Sequence, residues 1–188
     1  MAISLRLPAP PTDEEILELS ERNPGLQIEQ SASGELILTP TGAESGRREL
    51  VLGARLLAWA ESDSSGLAFG ASTGFRLPDG SLRSPDVAWV RRERWESLTP
   101  AQREGFAPLC PDAVFEIRSP SDTLRDLQAK MRVYLANGAR LAVLIDPQRR
   151  TVEVHAWDRD PRLLESPESV SFDPLLPGFI LDLKRILE

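Results

Sequence analysis

Residues 112–145 constrain the fold of this chain more than any other stretch. Residues 112–117 form an apolar run of strand length, and Ser121 or Asp122 stands as a helix cap before a segment reaching about Asn137. Gly138 occupies the C′ place that ends a helix, and residues 141–145 are again short and wholly apolar. Strand, helix and buried strand in succession predict an α/β (α+β) chain, a mixed β-sheet flanked by helices.

The remaining segments fit around that unit. Thr12 stands three residues before Glu15 in a capping-box arrangement and predicts a helix to about Arg22, stopped by Asn23, Pro24 and Gly25. Residues 26–30 and 35–39 predict a β-hairpin. Residues 41–62 predict a long helix, apolar nearly all round between positions 50 and 60 except at Arg55, and therefore a core helix. Strands are expected at 67–71, 74–77 and 86–90, and short helical turns between 91 and 111. Residues 151–157 alternate in a half-exposed strand antiparallel to the one before, with His155 on the exposed side. A short helix is expected at 181–187. With 188 residues, 41% of them hydrophobic, one domain covering 1–188 is the expectation.

Composition removes several classes of function. A single cysteine, Cys110, excludes an intrachain disulfide and a Cys-rich zinc cluster, and a single histidine, His155, excludes a multi-His metal site. Metal chemistry must therefore use oxygen ligands. The formal charge of -7 argues against a general nucleic-acid coat and leaves room for a local basic groove. No stretch approaches the roughly eighteen apolar residues of a membrane span, and the N-terminus lacks a secretory pattern. A cytoplasmic protein with no membrane partner is the expectation.

Three features converge on chemistry: Ser84-Pro85-Asp86 entering a strand, Phe115-Glu116-Ile117-Arg118 ending another, and Lys130 on the following helix. If the two strands are neighbours, Asp86 and Glu116 bring two hard carboxylates to one sheet edge, a pattern suited to Mg²⁺ or Mn²⁺. A carboxylate inside an apolar strand is costly unless something binds it. Arg118 shares side-chain parity with Glu116 and is expected beside the same site, where a cation suggests a phosphate substrate. Cys110 is expected to be a small buried side chain, and Arg91, Arg92 and Arg94 form a solvated basic run or a contact to a phosphate backbone.

Pro-Asp, about thirty residues, then Glu-x-basic resembles the active-site pattern of the PD-(D/E)XK nuclease superfamily. The blocks Pro40-Thr41-Gly42-Ala43-Glu44-Ser45-Gly46, Ser84-Pro85-Asp86-Val87-Ala88-Trp89-Val90 and Phe115-Glu116-Ile117-Arg118-Ser119-Pro120-Ser121-Asp122 occur in the order found in the Uma-two family. Lys130-x-x-x-Tyr134-x-x-x-Gly138 and Leu144-Ile145-Asp146-Pro147 follow, also as in that family, so the resemblance spans roughly residues 10 to 185. The family is described as candidate restriction endonucleases.

The resemblance implies a restriction-endonuclease-like fold with Asp86 and Glu116 as metal-binding carboxylates. The superfamily's usual lysine two residues after the Glu is replaced by Arg118, and Lys130 resembles that lysine displaced from strand to helix. Glu44 matches the place where a further acidic residue is often supplied, with Glu49 competing for the role. The implied activity is Mg²⁺- or Mn²⁺-dependent hydrolysis of DNA, with Lys130 and Arg118 stabilising charge at phosphorus. A homodimer fits an enzyme that cuts both strands. Two alternatives stand beside it: a catalytically degenerate module that binds DNA or a protein partner, and a small-molecule hydrolase working from an apolar pocket. The position of the Lys130 ammonium discriminates the first of these.

Overall fold

The computed structural model describes residues 3–188. It opens with β1 (Ile3–Leu5), α1 (Asp13–Arg22), β2 (Leu26–Gln30), β3 (Leu36–Pro40) and α2 (Ala43–Asp63). Four strands follow, β4 (Gly66–Gly70), β5 (Phe75–Arg76), β6 (Leu82–Arg83) and β7 (Val87–Arg91), then two helical turns, α3 (Arg92–Glu96) and α4 (Pro100–Glu104). The C-terminal half holds β8 (Ala113–Ile117), α5 (Leu124–Ala136), β9 (Leu141–Asp146) and β10 (Thr151–Ala156). It closes with β11 (Arg162–Glu165), β12 (Ser169–Ser171) and β13 (Ile180–Asp182).

Local chemistry sets the helix ends. The capping box at α1 is made, Thr12 Oγ1 accepting from Glu15 N at 3.3 Å and Glu15 Oε2 accepting from Thr12 N at 2.8 Å. At α5 the cap is Thr123, not Ser121 or Asp122: its hydroxyl accepts from Asp126 N, while Asp122 accepts from Ser119 N at 2.8 Å. Asp122 thus closes the turn that leads the chain off β8. Gly138 has φ +102°, the left-handed conformation expected just after a helix.

Six strands in the order β11-β10-β9-β8-β7-β4 make the main sheet. It is mixed, with β8 and β9 parallel and the other pairs antiparallel. The parallel pair follows from α5, because a helical crossover returns the chain to the same end of the sheet. A second sheet, β1-β3-β2-β6-β5, carries the N-terminal hairpin, and α1 buries Ile16 against Ile28, Leu36 and Leu82. On one face of the main sheet Val87, Trp89, Phe115 and Val143 pack on Leu52, Leu56 and Ala60 of α2 and on the C-terminal segment. On the other face Ala88, Val90, Val114, Ala142 and Leu144 pack on Leu127, Met131 and Tyr134 of α5. A mixed sheet with helices on both sides is therefore what the chain forms.

Several local expectations are corrected. Helix α2 is not buried all round: Leu50 is 73% exposed and Leu57 46%, and the fully buried stripe is Leu52, Leu56, Ala60, flanked by half-buried Val51 and Trp59. His155 is buried, with Nε2 at 3.2 Å from Glu153 Oε2, because α5 supplies Gln128 to the same carboxylate and covers that face of β10. The tail is a strand at residues 180–182, and of the helix expected over 181–187 only one turn forms, in which Ile186 N and Leu187 N donate to Leu183 O. Leu181 and Leu183 are buried while Ile180 and Asp182 are exposed, a period of two that pairing with β12 rewards. No helix among the described residues is long and apolar enough to cross a membrane.

Candidate active site

The segment Ser84-Pro85-Asp86 is the joint between the two sheets. Leu82 pairs with Gln30 in the small sheet, and five residues later Val87 pairs with Phe115 in the main one. One step further along that antiparallel register, Asp86 falls opposite Glu116, just outside the end of β7. The small sheet is tied to the joint by Gln27, whose Nε2 donates to Ser84 O at 2.6 Å, and by Glu29, whose Oε1 accepts from Ser84 N at 2.8 Å. Strand β2 is thereby held against the end of the main sheet.

Glu116 lies on the α5 face of β8, and Lys130 shares the buried stripe of α5 with Leu127, Met131 and Tyr134. Lys130 Nζ sits 2.7 Å from Glu116 Oε1 and 3.0 Å from Glu29 Oε1. Tyr134, one turn along the helix, donates its hydroxyl to the same Glu116 Oε1 at 2.9 Å. Asp86 Oδ2 accepts from the backbone N of Ile117 at 2.7 Å. Among the described residues, no side-chain hydrogen bond or ion pair engages Asp86 Oδ1 or Glu116 Oε2. Both residues line one small cleft with Glu29, Glu49, Ser119 and Lys130.

The electrostatics reflect crowding of like charge. Burial raises the Asp86 carboxyl well above its ordinary range, and the neighbouring Glu116 and Glu49 add to the rise. Glu116 is also raised, by burial first; Lys130 opposes the rise and Glu29 contributes to it. Burial acts to raise Glu29 too, yet Lys130 and Arg83 outweigh it and Glu29 is held below its usual range, as an anion. Burial acts to lower the Lys130 ammonium, but Glu116 and Glu29 together raise it, so the side chain stays charged. Glu49 is raised by burial alone. Four carboxylates, Glu29, Glu49, Asp86 and Glu116, thus face two cations, Lys130 and Arg83, and the fully ionised cluster carries two uncompensated negative charges.

Of the residues singled out in the sequence, the structure brings Asp86, Glu116 and Lys130 together. Arg118 is not brought to them. It lies one residue past the end of β8, its Nη1 donates to Asp146 Oδ2 at 2.8 Å and its Nε to Asp122 O at 3.2 Å. Asp146 is 1% exposed and requires a counter-ion, and Arg118 supplies it. Glu44 is likewise elsewhere, exposed on the first turn of α2 and paired with Arg47 and Arg48. The acidic residue that α2 brings to Asp86 is Glu49. In the basic run, Arg91 and Arg94 turn to Asp112, and Arg92 turns to Glu96 and to Ser64 O. Cys110 is buried as expected.

Glu29 was not singled out by the sequence, and Tyr134 only as part of a motif block. One signal for the site was present in plain view: Lys130 is one of only two lysines beside twenty arginines. An ammonium, compact and able to be flanked by two carboxylates, is not interchangeable with a guanidinium fork.

The donor set suits a hard divalent cation. No group of three or more His, Cys, Asp or Glu side chains is gathered as a ready metal cage among the described residues. Asp86 and Glu116 each keep an oxygen outside the hydrogen-bond network, in a cluster short of positive charge. That matches Mg²⁺, which is commonly held by one or two carboxylates and retains several waters. An apolar groove of about 440 Å³, lined by Leu50, Gly53, Ala54, Leu57 and Phe69, runs along α2 and the edge strand β4 and reaches Glu49 and Asp86.

A mixed sheet that presents two carboxylates at the ends of two adjacent strands, with a lysine reaching them from the helix packed on its face, has the architecture of a nuclease-like domain. The chain belongs to the Uma2 family, described as "Putative restriction endonuclease", whose model matches residues 13–184. Its fold is similar to that of a crystal structure of a putative nuclease belonging to DUF820 from Anabaena variabilis. The TM-score is 0.74 at 20% identity, over 95% of this chain and 98% of that one. No curated protein matches the sequence.

Proposed function

We propose that this protein is an endonuclease that hydrolyses phosphodiester bonds of DNA with the help of Mg²⁺ or Mn²⁺, acting as a single domain in the cytoplasm. The observation that carries this reading is the Lys130 ammonium, 2.7 Å from Glu116 in the cleft that Asp86 shares. Membership of the Uma2 family supports it. Asp86 and Glu116 would hold the cation, which when bound supplies Lewis-acid polarisation and neutralises charge at phosphorus. Glu49, which lines the same cleft and is raised by burial, would accept a proton or orient water. Lys130, kept protonated by its two carboxylates, acts as a fixed positive charge and hydrogen-bond donor to the developing phosphorane rather than as a base. Arg118 has no part in the reaction. A homodimer would present two such clefts to the two strands of a duplex.

The test is nicking or linearisation of plasmid DNA by purified protein with Mg²⁺ or Mn²⁺. Cleavage that disappears with chelator, and that falls roughly a hundredfold or more in Lys130→Ala, is the expected outcome. A second reading, hydrolysis of a small apolar substrate by Asp86 and Glu116 as acid and base, draws on the groove beside Asp86. Turnover of small esters or glycosides without added metal, and none of DNA, would favour it. Binding of DNA with no cleavage under any divalent cation would favour the degenerate module.

A further inference from the structure

We infer that Glu29, supplied by the small N-terminal sheet, is a positioning residue that sets the Lys130 ammonium relative to Asp86 and so completes the site; this rests on the nuclease reading above. Glu29 is 6% exposed in the middle of β2, and no apolar packing explains a carboxylate there. Both of its oxygens are engaged. Oε1 meets Lys130 Nζ at 3.0 Å and accepts from Ser84 N at 2.8 Å, and Oε2 faces Arg83 Nη1 at 3.4 Å. Glu29 is therefore not free to take a cation or a substrate, and it acts through its neighbours.

Those neighbours belong to different parts of the fold. Lys130 projects from α5, whereas Ser84 lies two residues before Asp86 on the joint between the sheets. One carboxylate oxygen thus fixes the ammonium to the backbone that places Asp86. Without it, a flexible four-carbon side chain would be held by Glu116 alone and would be free to swing away from the joint toward solvent. Held between two acids, Lys130 binds through Glu116 Oε1, and Oε2 stays outside the network. The site is then not a property of the main sheet and α5 alone. It is assembled when β2 docks on the joint.

The experiment uses the full chain and two readouts. The first is acylation of lysine amines followed by peptide-resolved mass spectrometry, with exposed Lys184 as internal standard and alkylation of buried Cys110 as a check that each variant stays folded. In the wild type Lys130 should react far more slowly than Lys184. In Glu29→Gln, which keeps an acceptor for Ser84 N but removes the charge, the Lys130 rate should rise at least roughly tenfold while Cys110 stays protected. Glu29→Asp should restore much of the protection, and it serves as the decisive variant if Glu29→Gln does not fold. The second readout is steady-state cleavage of plasmid DNA with Mg²⁺. Glu29→Gln should lower kcat by roughly tenfold or more with KM little changed, and Glu29→Asp should recover part of it. Unchanged Lys130 acylation in folded Glu29→Gln, or a loss of activity confined to KM, overturns the inference. If the wild type cleaves nothing, the nuclease reading falls, and the acylation arm still decides whether Glu29 holds Lys130.

Discussion

Replacing Lys130 with methionine removes one charge and keeps most of the side-chain volume, so its effect on stability can be worked from the pairing geometry. The Lys130 side chain is 14% exposed, and its partners Glu29 and Glu116 are 8% and 5% exposed. After the substitution these two buried carboxylates lose their shared cation. Glu29 keeps Arg83 at 3.4 Å and Ser84 N, but Glu116 keeps the Tyr134 hydroxyl alone. Breaking a buried pair by removing one partner costs about 3–5 kcal/mol, most of it the penalty of the charge left behind. For a chain of this length that is a fall in Tm of roughly 6–20 °C. Differential scanning fluorimetry and urea unfolding at neutral pH in chelator measure it. The double variant Lys130→Met/Glu116→Gln should recover a large part of the loss, because it removes the stranded charge rather than adding a contact. If Lys130→Met stays within about 1 kcal/mol of the wild type, or if the double variant is less stable than the single one, the buried charge cluster is wrong.

Three further outcomes are expected. Mg²⁺ at about a hundred times its Kd should stabilise the wild type by about 2.7 kcal/mol, a Tm rise of roughly 5–11 °C, and Asp86→Asn and Glu116→Gln should each abolish the shift; a wild-type shift retained in both variants would show that the ligands lie elsewhere. Arg118→Ala should destabilise the fold by about 3–5 kcal/mol, because Asp146 loses its counter-ion, while cleavage per folded molecule at low temperature stays near wild type; a selective loss of activity at full stability would return Arg118 to the site. Burial pushes the Cys110 thiol from an ordinary 9.0 up to about 12. A raised folded value means stability that is complete below the unfolded pKa and is lost as pH rises toward the folded one. Urea unfolding between pH 9 and 12 should therefore show a loss of about 1.4 kcal/mol per pH unit that is absent in Cys110→Ala. Equal slopes in the two proteins would refute it.

The elements on which the site stands were legible because local chemistry specifies them. Thr12 and Glu15 satisfy a helix end by themselves, Gly138 takes a left-handed conformation that L side chains rarely adopt, and an apolar run such as β9 can satisfy its side chains only inside a sheet. Asp86, Glu116 and Lys130 were legible for a related reason. A charge in an apolar strand is an imbalance that the sequence displays and the fold must resolve, and here the partner was the lysine on the next helix.

What stayed hidden depended on docking between segments far apart in the chain. Gln27 and Glu29 alternate with Leu26, Ile28 and Gln30 as the polar face of an ordinary hairpin would, and nothing local says that this face meets α5 and the Ser84–Asp86 joint. Parity placed Arg118 beside Glu116, but parity ends with the strand. Past Ile117 the chain turns, and a guanidinium follows the nearest buried carboxylate, Asp146. Glu44 and Glu49 differ by five residues, more than one helical turn, so the choice between them rests on how α2 is rotated against the sheet. Leu52, Leu56 and Ala60 set that rotation, turning Glu49 toward Asp86 and leaving Glu44 in solvent with Arg47 and Arg48. Side-chain spacing thus determined which residues carry charge in apolar surroundings, while the packing of α2, α5 and the small sheet decided which of those charges meet, because long-range contacts have no local signature in the chain.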